Sequence, residues 1–444
     1  MNTKPNKKVA IVGGGWTGLT AAYDLTKHGY EVEIFEAGSA LGGIASGFTL
    51  KDGMPLERVY HFLYTTDKYM IGMAKELGIE DKLHFYPSSI SAFYKGTLYP
   101  LTTAKDLLTF GPLNLIDRLR TGLTGLRLLL VKNWRPLTKV TAYEWLSKWN
   151  GKRAADLIWK PLLVGHFDVY WDKITMAWVW ARIQQVQTSK KKGEHAQRFG
   201  YFDGGFQIMV KRWQEELNKY DTKIHLNAKI EIFTNEDSKP GLKFEDRIHR
   251  YDAIIAAIPS NTFAKLAQRH PEMTPKYAHD LTGIKYLGAV LLVFTTKEPI
   301  TSRYWHQIHD EGAPFLVLLS LDSLVGKEKA GGHHIYYIGV YTQNDGELMN
   351  LTDDQIRDRW FAGVKKLFLN FDESQVEESY VFKFKNAQHI VDVTYENRIP
   401  AMRTPLSGFY LANFSQIFPE DRGTNYAVRE GYKVAKMVRQ DLES

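Results

Sequence analysis

The sequence predicts an α/β protein whose parallel sheet begins with a βαβ unit, and two observations support this prediction. The apolar run Lys8–Val12 leads directly into residues 13–18, which read G-G-G-W-T-G and fit the pattern G-x-G-x-x-G. A helical stretch, Leu19–Leu25, then connects to a second apolar run, Glu31–Glu36, which ends in an acid. Strand, glycine turn, helix and strand in this order are typical of a Rossmann-like domain.

Each part of this unit has a physical task. Gly13 permits the tight turn, Gly15 lets a diphosphate touch the backbone, and Gly18 lets the helix pack closely on the strand. The helix N-terminus presents free N–H groups and the positive end of its dipole to phosphate oxygens. Glu36, about 20 residues further on, is placed to accept hydrogen bonds from a ribose hydroxyl. The unit therefore predicts a bound dinucleotide, without separating NAD from FAD.

A glycine pair after the second strand favours FAD. Residues 36–47 read E-A-G-S-A-L-G-G-I-A-S-G, so that Ala37 is followed by the pair Gly42 and Gly43 and then by a new strand. The segment resembles the FAD-dependent superfamily of flavin amine oxidases, protoporphyrinogen oxidases, phytoene-type desaturases and UDP-galactopyranose mutases. The resemblance implies that the glycine pair brings the backbone against the cofactor diphosphate. The arginines that flank the pair in the fullest form of the motif are absent here.

Later segments extend the resemblance over nearly the whole chain. Residues 202–207, F-D-G-G-F-Q, and residues 223–230 are similar to the family's second signature, in which the position of Ile230 contacts the adenine. Tyr251–Pro259 matches a later strand of the cofactor domain, and the resemblance places Ala257 at the cofactor.

The C-terminal segments 408–413 and 421–431 resemble the closing strand and helix that hold the ribityl and diphosphate groups. The glycine-aspartate pair that usually follows this strand is missing, which leaves the polar contact to the ribityl chain open. Helix capping is the alternative role for each candidate. The candidates are Asn413, Asp421, Thr424 and Asn425.

The 444 residues exceed the roughly 250 to 300 at which a single core stops growing, which predicts more than one domain. The resemblance implies that the cofactor domain is discontinuous. Residues 1–100, 201–265 and 395–444 are expected to form a GR2-type FAD-binding domain. Residues 101–200 read as a helical insertion or cap. Residues 266–394 alternate apolar and polar positions and predict a substrate-binding domain of mixed β-sheet.

Two interpretations of the chemistry remain open. Amine oxidases carry a lysine in the first substrate strand, and alignment places Leu291 at that position, which argues against amine oxidation. In the first interpretation a lipophilic or cyclic organic substrate gives a hydride to flavin, as the resemblance to protoporphyrinogen oxidases and desaturases implies. A flavin-free binding protein of the same fold is disfavoured by the intact glycine motif.

The second interpretation is a UDP-sugar mutase that uses reduced FAD. Residues 56–67 resemble the mutase segment in which a histidine lies beside the flavin, which makes His61 a candidate catalytic residue and Tyr60 a candidate cofactor contact. Arg182 lies in a second segment that resembles the mutases, and there it would bind the diphosphate of the nucleotide sugar.

The composition limits the kinds of chemistry, ligand and partner that are expected for the protein. The chain has no cysteine, which excludes disulfides, thiolate catalysis and iron–sulfur clusters. No metal site is predicted, because His333 and His334 alternate faces of a strand. A net charge of +7 fits an anionic substrate or membrane surface, and no nucleic-acid motif is present. With no signal segment and no apolar run near 18 residues, we expect a cytoplasmic location; the oligomeric state stays open.

The stretch Lys105–Lys139 supports two hypotheses. It mixes large apolar residues, such as Leu107, Phe110 and Leu115, with arginines, lysines and a tryptophan. Such a helix can lie in a membrane interface with its cations on anionic headgroups, which predicts a peripheral membrane contact. Alternatively, its apolar residues cap the substrate cavity and its cations form the solvated outer face.

Overall fold

The structure, a computed structural model, describes residues 7–190, 193, 196–236, 239–310 and 312–444. The first residues of the chain, on which the expected location partly rests, lie outside these ranges. No helix within the described ranges is long and apolar enough to cross a bilayer.

The elements are numbered in chain order. The strands are β1 (Lys8–Val12), β2 (Glu31–Phe35), β3 (Gly47–Thr49), β4 (Pro55–Glu57), β5 (Leu63–Tyr64), β6 (Leu83–Pro87), β7 (Ile90–Tyr94), β8 (Thr97–Pro100), β9 (Arg198–Phe202), β10 (Lys223–His225), β11 (Ile232–Glu236), β12 (Lys239–Phe244), β13 (Arg247–Arg250), β14 (Ala253–Ala256), β15 (Tyr286–Thr296), β16 (Trp305–Ile308), β17 (Val317–Ser320), β18 (His334–Gln343), β19 (Val376–His389) and β20 (Phe409–Leu411).

The helices follow the same convention. They are α1 (Trp16–Lys27), α2 (Lys68–Glu76), α3 (Ala104–Leu108), α4 (Leu115–Leu130), α5 (Ala142–Asn150), α6 (Lys152–Ala154), α7 (Lys160–Phe167), α8 (Met176–Thr188), α9 (Gln207–Asn218), α10 (Ser260–Leu266), α11 (Pro275–Thr282), α12 (Asp322–Val325), α13 (Glu347–Asn350), α14 (Asp353–Leu367) and α15 (Thr424–Glu443). A π-helical turn, Ala155–Trp159, joins α6 to α7.

A five-stranded parallel sheet in the order β10-β2-β1-β14-β20 forms the cofactor half of the molecule. Its central strand β1 pairs in register with β2 on one side and β14 on the other. Strands β1 and β14 read as near-continuous apolar runs because helices and loops cover both faces of the sheet. The sheet confirms the predicted α/β class and the N-terminal βαβ unit. It draws strands from residues 8–35, 223–256 and 409–411, and so from distant parts of the chain.

A seven-stranded mixed sheet in the order β19-β15-β18-β17-β16-β7-β8 forms the substrate half. Every residue of its long strand β15 is buried. The sheet includes β7 and β8, which the sequence analysis assigned to the first segment, residues 1–100, of the cofactor domain. The boundary differs because β7 pairs in parallel with β16, from Ile90 opposite Trp305 to Phe93 opposite Ile308. Nothing in the pattern of either strand indicates this long-range pairing.

Helices α3 to α8 form a layer beside the two sheets, as the helical character of residues 101–200 predicts. Its core includes the buried side chains of Phe167 and Trp178. Phe110 is buried in a small cluster with Ala92 of the substrate sheet. Leu115, by contrast, is exposed on α4 and does not line the cavity described below. The hypothesis that these apolar residues cap the cavity is therefore wrong for α4.

Candidate functional site

One large cavity, of about 440 Å³, lies where the parallel strands end. The residues that directly follow β1, β2, β14 and β20 all line it: Gly13, Glu36, Ala257 and Ala412. Ligands of open parallel sheets bind at the carboxyl ends of the strands. The position of the cavity is therefore the one that the fold favours for a bound cofactor.

Two helix N-termini face this cavity. Gly15 precedes α1 and Gly423 precedes α15, and both glycines line the cavity wall. Among the described residues no side chain caps either helix, and neither helix has an acid in its first turn. Uncapped N–H groups and two positive dipole ends thus converge on one space. This arrangement suits an anionic group such as a diphosphate.

The three fingerprint glycines have three different structural reasons. Gly13 has φ +106°, and a Cβ there would lie 2.5 Å from the carbonyl oxygen of Ala257. A Cβ on Gly18 would lie 2.0 Å from the carbonyl oxygen of Gly13, so that only glycine lets helix and strand approach this closely. A Cβ on Gly15 meets nothing closer than 3.9 Å. The protein itself leaves the space above Gly15 open.

The glycine pair lies against the fingerprint. Gly42 and Gly43 both have positive φ, at +110° and +60°, and the Gly42 N–H donates to the Gly14 carbonyl over 2.9 Å. A Cβ on Gly43 would lie 3.1 Å from the Cα of Gly15. Two glycine-rich turns therefore form one wall of the cavity from backbone atoms alone.

The carboxylate of Glu36 is hydrogen-bonded to the backbone of the glycine turns. Its two carboxylate oxygens accept hydrogen bonds from the N–H groups of Gly14 and Gly38, each over 2.7 Å. Its side chain still lines the cavity, where a ribose hydroxyl could share these oxygens. Ala37 is exposed and Ile230 is half-buried in a neighbouring cluster, and the wall of the cavity includes neither.

The four C-terminal candidates all line the cavity, but two of their side chains act as caps. Asn413 accepts from the Ser415 N–H over 2.8 Å and donates to the Ile258 carbonyl over 2.7 Å. Asn425 accepts from two N–H groups at the start of α2. Thr424 is the first residue of α15. The side-chain oxygens of both asparagines and the backbone N–H of Asn413 are therefore engaged within the protein, and the first N–H groups of α15 are the ones available to a ligand.

Asp421 forms a buried ion pair with Arg182. The Arg182 Nη1 donates to an Asp421 oxygen over 2.8 Å, and the Trp178 indole donates to the other oxygen over 3.2 Å. Burial opposes ionisation of Asp421, but the nearby guanidinium groups outweigh it and lower the pKa of the carboxyl. The pair joins α8 to the segment before α15. Arg182 is therefore already neutralised within the protein.

Arg422 is a site residue that the sequence analysis did not single out. Its guanidinium donates to the hydroxyl of Tyr341 and, over 2.9 Å, to the amide oxygen of Gln388. Both partners are neutral, whereas the carboxylate of Asp421 pairs with Arg182. The inner end of the cavity thus keeps a positive charge. The only sequence signal is an Asp-Arg pair before a helix, which many surface turns share.

Two histidines that line the cavity are neutral. The Nδ1 of His61 donates to the Val59 carbonyl over 2.6 Å, and the Nδ1 of His166 donates to the Leu162 carbonyl over 3.0 Å. Burial lowers the pKa of each histidine to about 4. Because Nδ1 carries the proton, the Nε2 of each ring is left as an acceptor. His166 was missed by the sequence analysis, since a histidine within a helix carries no pattern.

An apolar arm of about 50 Å³ extends the cavity between α7 and the substrate sheet. Tyr60 and Tyr341 line both spaces, and the buried Leu291 lines the arm. The position at which amine oxidases carry a lysine thus holds a hydrocarbon side chain. Lys385 of the adjacent strand β19 lines the main cavity. Within the described ranges, no cluster of three histidine or acidic residues could hold a metal ion.

Fold and site together define a dinucleotide-binding flavoprotein with a separate substrate sheet. The open space above Gly15, the two helix N-termini and Glu36 fit the diphosphate and ribose of the cofactor. The chain belongs to the family of flavin containing amine oxidoreductases, whose family profile matches residues 16–438. Its cofactor is FAD, as the glycine motifs predict.

Known proteins of several activities are similar to the chain. It is 21% identical to coproporphyrinogen III oxidase of Staphylococcus aureus, over 66% of this chain and 68% of the relative. It is 21% identical to 15-cis-phytoene desaturase of Glycine max, over 98% of this chain and 80% of the relative. The structure of reduced UDP-galactopyranose mutase superposes with a TM-score of 0.77 at 14% identity, over 98% of this chain and 94% of the mutase. The mutase comparison shows a shared fold.

Proposed function

We propose that the protein is an FAD-dependent oxidoreductase that takes a hydride from a lipophilic or cyclic organic substrate. The observation that carries this proposal is the apolar arm, which continues the cavity from its polar centre into hydrocarbon side chains. The curated relatives, a porphyrinogen oxidase and a polyene desaturase, act on large organic molecules by name. Bound FAD supplies the hydride acceptor.

The residues of the cavity would position the substrate and take up a proton. Loss of a hydride and a proton from a C–H or N–H bond needs a proton acceptor, and the Nε2 atoms of His61 and His166 are unprotonated. The aromatic rings of Tyr60 and Trp305 meet at 90° and line both the main cavity and the arm, where they would help to exclude water from the substrate. We propose His61 as the catalytic base because it lies in the segment that resembles the flavin-contacting segment of the mutases.

Arg422 would bind an acidic group of the same substrate. Its guanidinium is fixed by Tyr341 and Gln388, and a carboxylate on the ligand would complete the charge balance of the cavity. The substrate class that fits both features is an apolar molecule with at least one carboxylate or phosphate. Arg182 would act as a positioning residue, because its charge is already engaged by Asp421.

The test is anaerobic reduction of the bound flavin, followed by absorbance. A porphyrinogen carboxylate, a neutral polyene and a simple primary amine are offered in turn, and we expect only an acidic apolar compound to bleach the flavin rapidly. Arg422→Leu should raise the KM about ten- to hundredfold by removing a charge-assisted contact, and Arg422→Lys should restore part of it. Bleaching by the amine with unchanged kinetics in Arg422→Leu would contradict the proposal.

A UDP-sugar mutase is the second candidate, favoured by the arginines in the cavity and by the fold shared with the mutase. A diphosphate would suit Arg422 as well as a carboxylate does. The two functions differ in their need for electrons. Conversion of UDP-galactopyranose only after reduction with dithionite, without net flavin reoxidation, would establish the mutase and exclude the oxidoreductase proposal.

A further inference from the structure

Helix α4 turns its apolar side chains away from the protein. The exposed fractions of these side chains lie between 50% and 81%, and at about 100° per residue they occupy an arc of only about 100° on the helix. A surface helix ordinarily packs such a stripe against the core. The side chains, named here the α4 stripe, are Leu115, Ile116, Leu119, Leu123, Leu126 and Leu130.

The inner face of α4 is mostly polar. Asp117, Thr121 and Thr124 are buried there together with Leu128. Thr121 donates to the Asp117 carbonyl within α4 over 2.7 Å, and Gln184 of α8 donates to the Leu128 carbonyl over 3.0 Å. The helix is therefore held to the protein by this contact with α8 and by the buried side chain of Leu128, together with small and polar residues. The α4 stripe contributes nothing to the core, which leaves it free to contact something outside.

The positive charge of the protein is concentrated around this helix. Residues 101–153 contain ten lysines and arginines and three acids, which equals the net charge of +7 of the whole chain. On α4 itself, Arg120 and Arg127 flank one edge of the stripe and Arg118 flanks the other. Arg127 lies 3.7 Å from the ring of Trp149, an aromatic residue of the type that favours interfaces.

We propose that the α4 stripe docks the protein on an anionic membrane surface. An apolar arc between two cationic edges is the pattern of a helix that lies in the interfacial plane, with leucines in the acyl boundary and cations at the headgroups. The helix is about 24 Å long and the stripe runs along its axis. The helix axis would therefore lie parallel to the membrane surface, and the helix would not span the bilayer. The inference does not depend on the flavin chemistry.

The test is co-sedimentation of the full-length flavoprotein with vesicles. The vesicles contain phosphatidylcholine and about 30% phosphatidylglycerol, so that about one lipid in three is anionic. At low salt the protein should bind these vesicles and sediment with them. The variant Leu123→Glu/Leu126→Glu should reduce the bound fraction at least tenfold. The matched control Leu226→Glu/Leu369→Glu changes two exposed leucines elsewhere, one of them 91% exposed, and should bind as the wild type does.

The charge contribution is tested with Lys105→Gln/Lys132→Gln, two exposed lysines at the ends of this region. Each neutralised lysine should weaken partitioning about fivefold, and added salt should have the same direction of effect. Lys365→Gln/Lys366→Gln on α14 is the control and should change little. Equal binding of the Leu123→Glu/Leu126→Glu variant and the wild type, or a wild type that stays in the supernatant with every vesicle, would overturn the proposal. Unchanged melting temperatures show that all variants fold.

Discussion

The two ends of the cavity differ in whether backbone atoms or side chains form the wall. At the outer end, backbone atoms of the glycine turns and of two helix N-termini form the wall, and side chains do little beyond Glu36. At the inner end, long side chains form the wall and hold one another through the Arg182–Asp421 ion pair and the Arg422–Tyr341 hydrogen bond. The comparison shows that the outer, cofactor end is formed mainly by the backbone conformation, whereas the inner, substrate end is formed by charged and polar side chains.

Acid should lower the stability of the protein through buried histidines, of which His61 and His166 line the main cavity, and this is the largest effect expected. Burial lowers the pKa of five histidines to about 4, below the roughly 6.5 of the unfolded chain. Their contribution to stability is complete above pH 6.5 and is lost as the pH falls toward 4, at about 1.4 kcal/mol per pH unit for each net proton. The histidines are His61, His166, His306, His309 and His389.

Among the described residues, four carboxyl groups oppose this trend, because burial raises the pKa of Asp24, Glu57, Asp67 and Asp168. Burial raises the pKa of Asp67 to about 7, so the folded protein already holds that proton where the histidines are still neutral. The five histidines outnumber these four carboxyls, and the free energy of unfolding should therefore fall between pH 6.5 and 4. Urea unfolding at several pH values measures this dependence. A flat profile over that range would contradict the burial of the histidines.

The ion pair of the inner end gives the next largest effect. Asp421→Leu leaves both Arg182 and Arg422 without a carboxylate, and we expect it to cost about 3–5 kcal/mol of unfolding free energy. Arg182→Leu should cost less, because Asp421 keeps Arg422 nearby. The double variant Arg182→Leu/Asp421→Leu should recover part of the loss. Strictly additive costs in this double-mutant cycle would show that the pair is not coupled.

Of two glycines at the outer end, Gly15 gives the smallest effect on stability, and its comparison with Gly18 separates the requirements of the fold from those of the cofactor. Gly18→Val places its Cβ against a backbone oxygen and should cost about 3 kcal/mol or more. Gly15→Val meets no protein atom closely and should change the unfolding free energy of the FAD-free protein by less than about 1 kcal/mol. It should nevertheless abolish FAD retention, measured by the absorbance of the purified protein. A Gly15→Val protein that keeps stoichiometric FAD would refute the assigned diphosphate position.

The same contrast explains what could be predicted from the sequence. The outer end was predictable because its residues lie within one βαβ unit, where spacing alone implies geometry. The role of Gly18, for example, follows from a helix that must pack on the preceding strand. The inner end was not predictable, because Arg422 finds its partner Tyr341 across 81 positions and β7 finds β16 across more than 200. No local pattern encodes such partners.

The Arg182–Asp421 pair also affects how a molecule can reach the cavity. It fastens the helical layer to the segment before α15 across 239 positions of the chain, inside the protein. An outward movement of that layer would separate two buried charges, which costs several kcal/mol. The layer is therefore expected to stay in place when a molecule enters the cavity. The apolar arm beside Leu291 is lined by other residues and does not involve the pair. The fixed dimensions of the cavity and its arm, more than any motion of the layer, would then set the size of the molecules that are admitted.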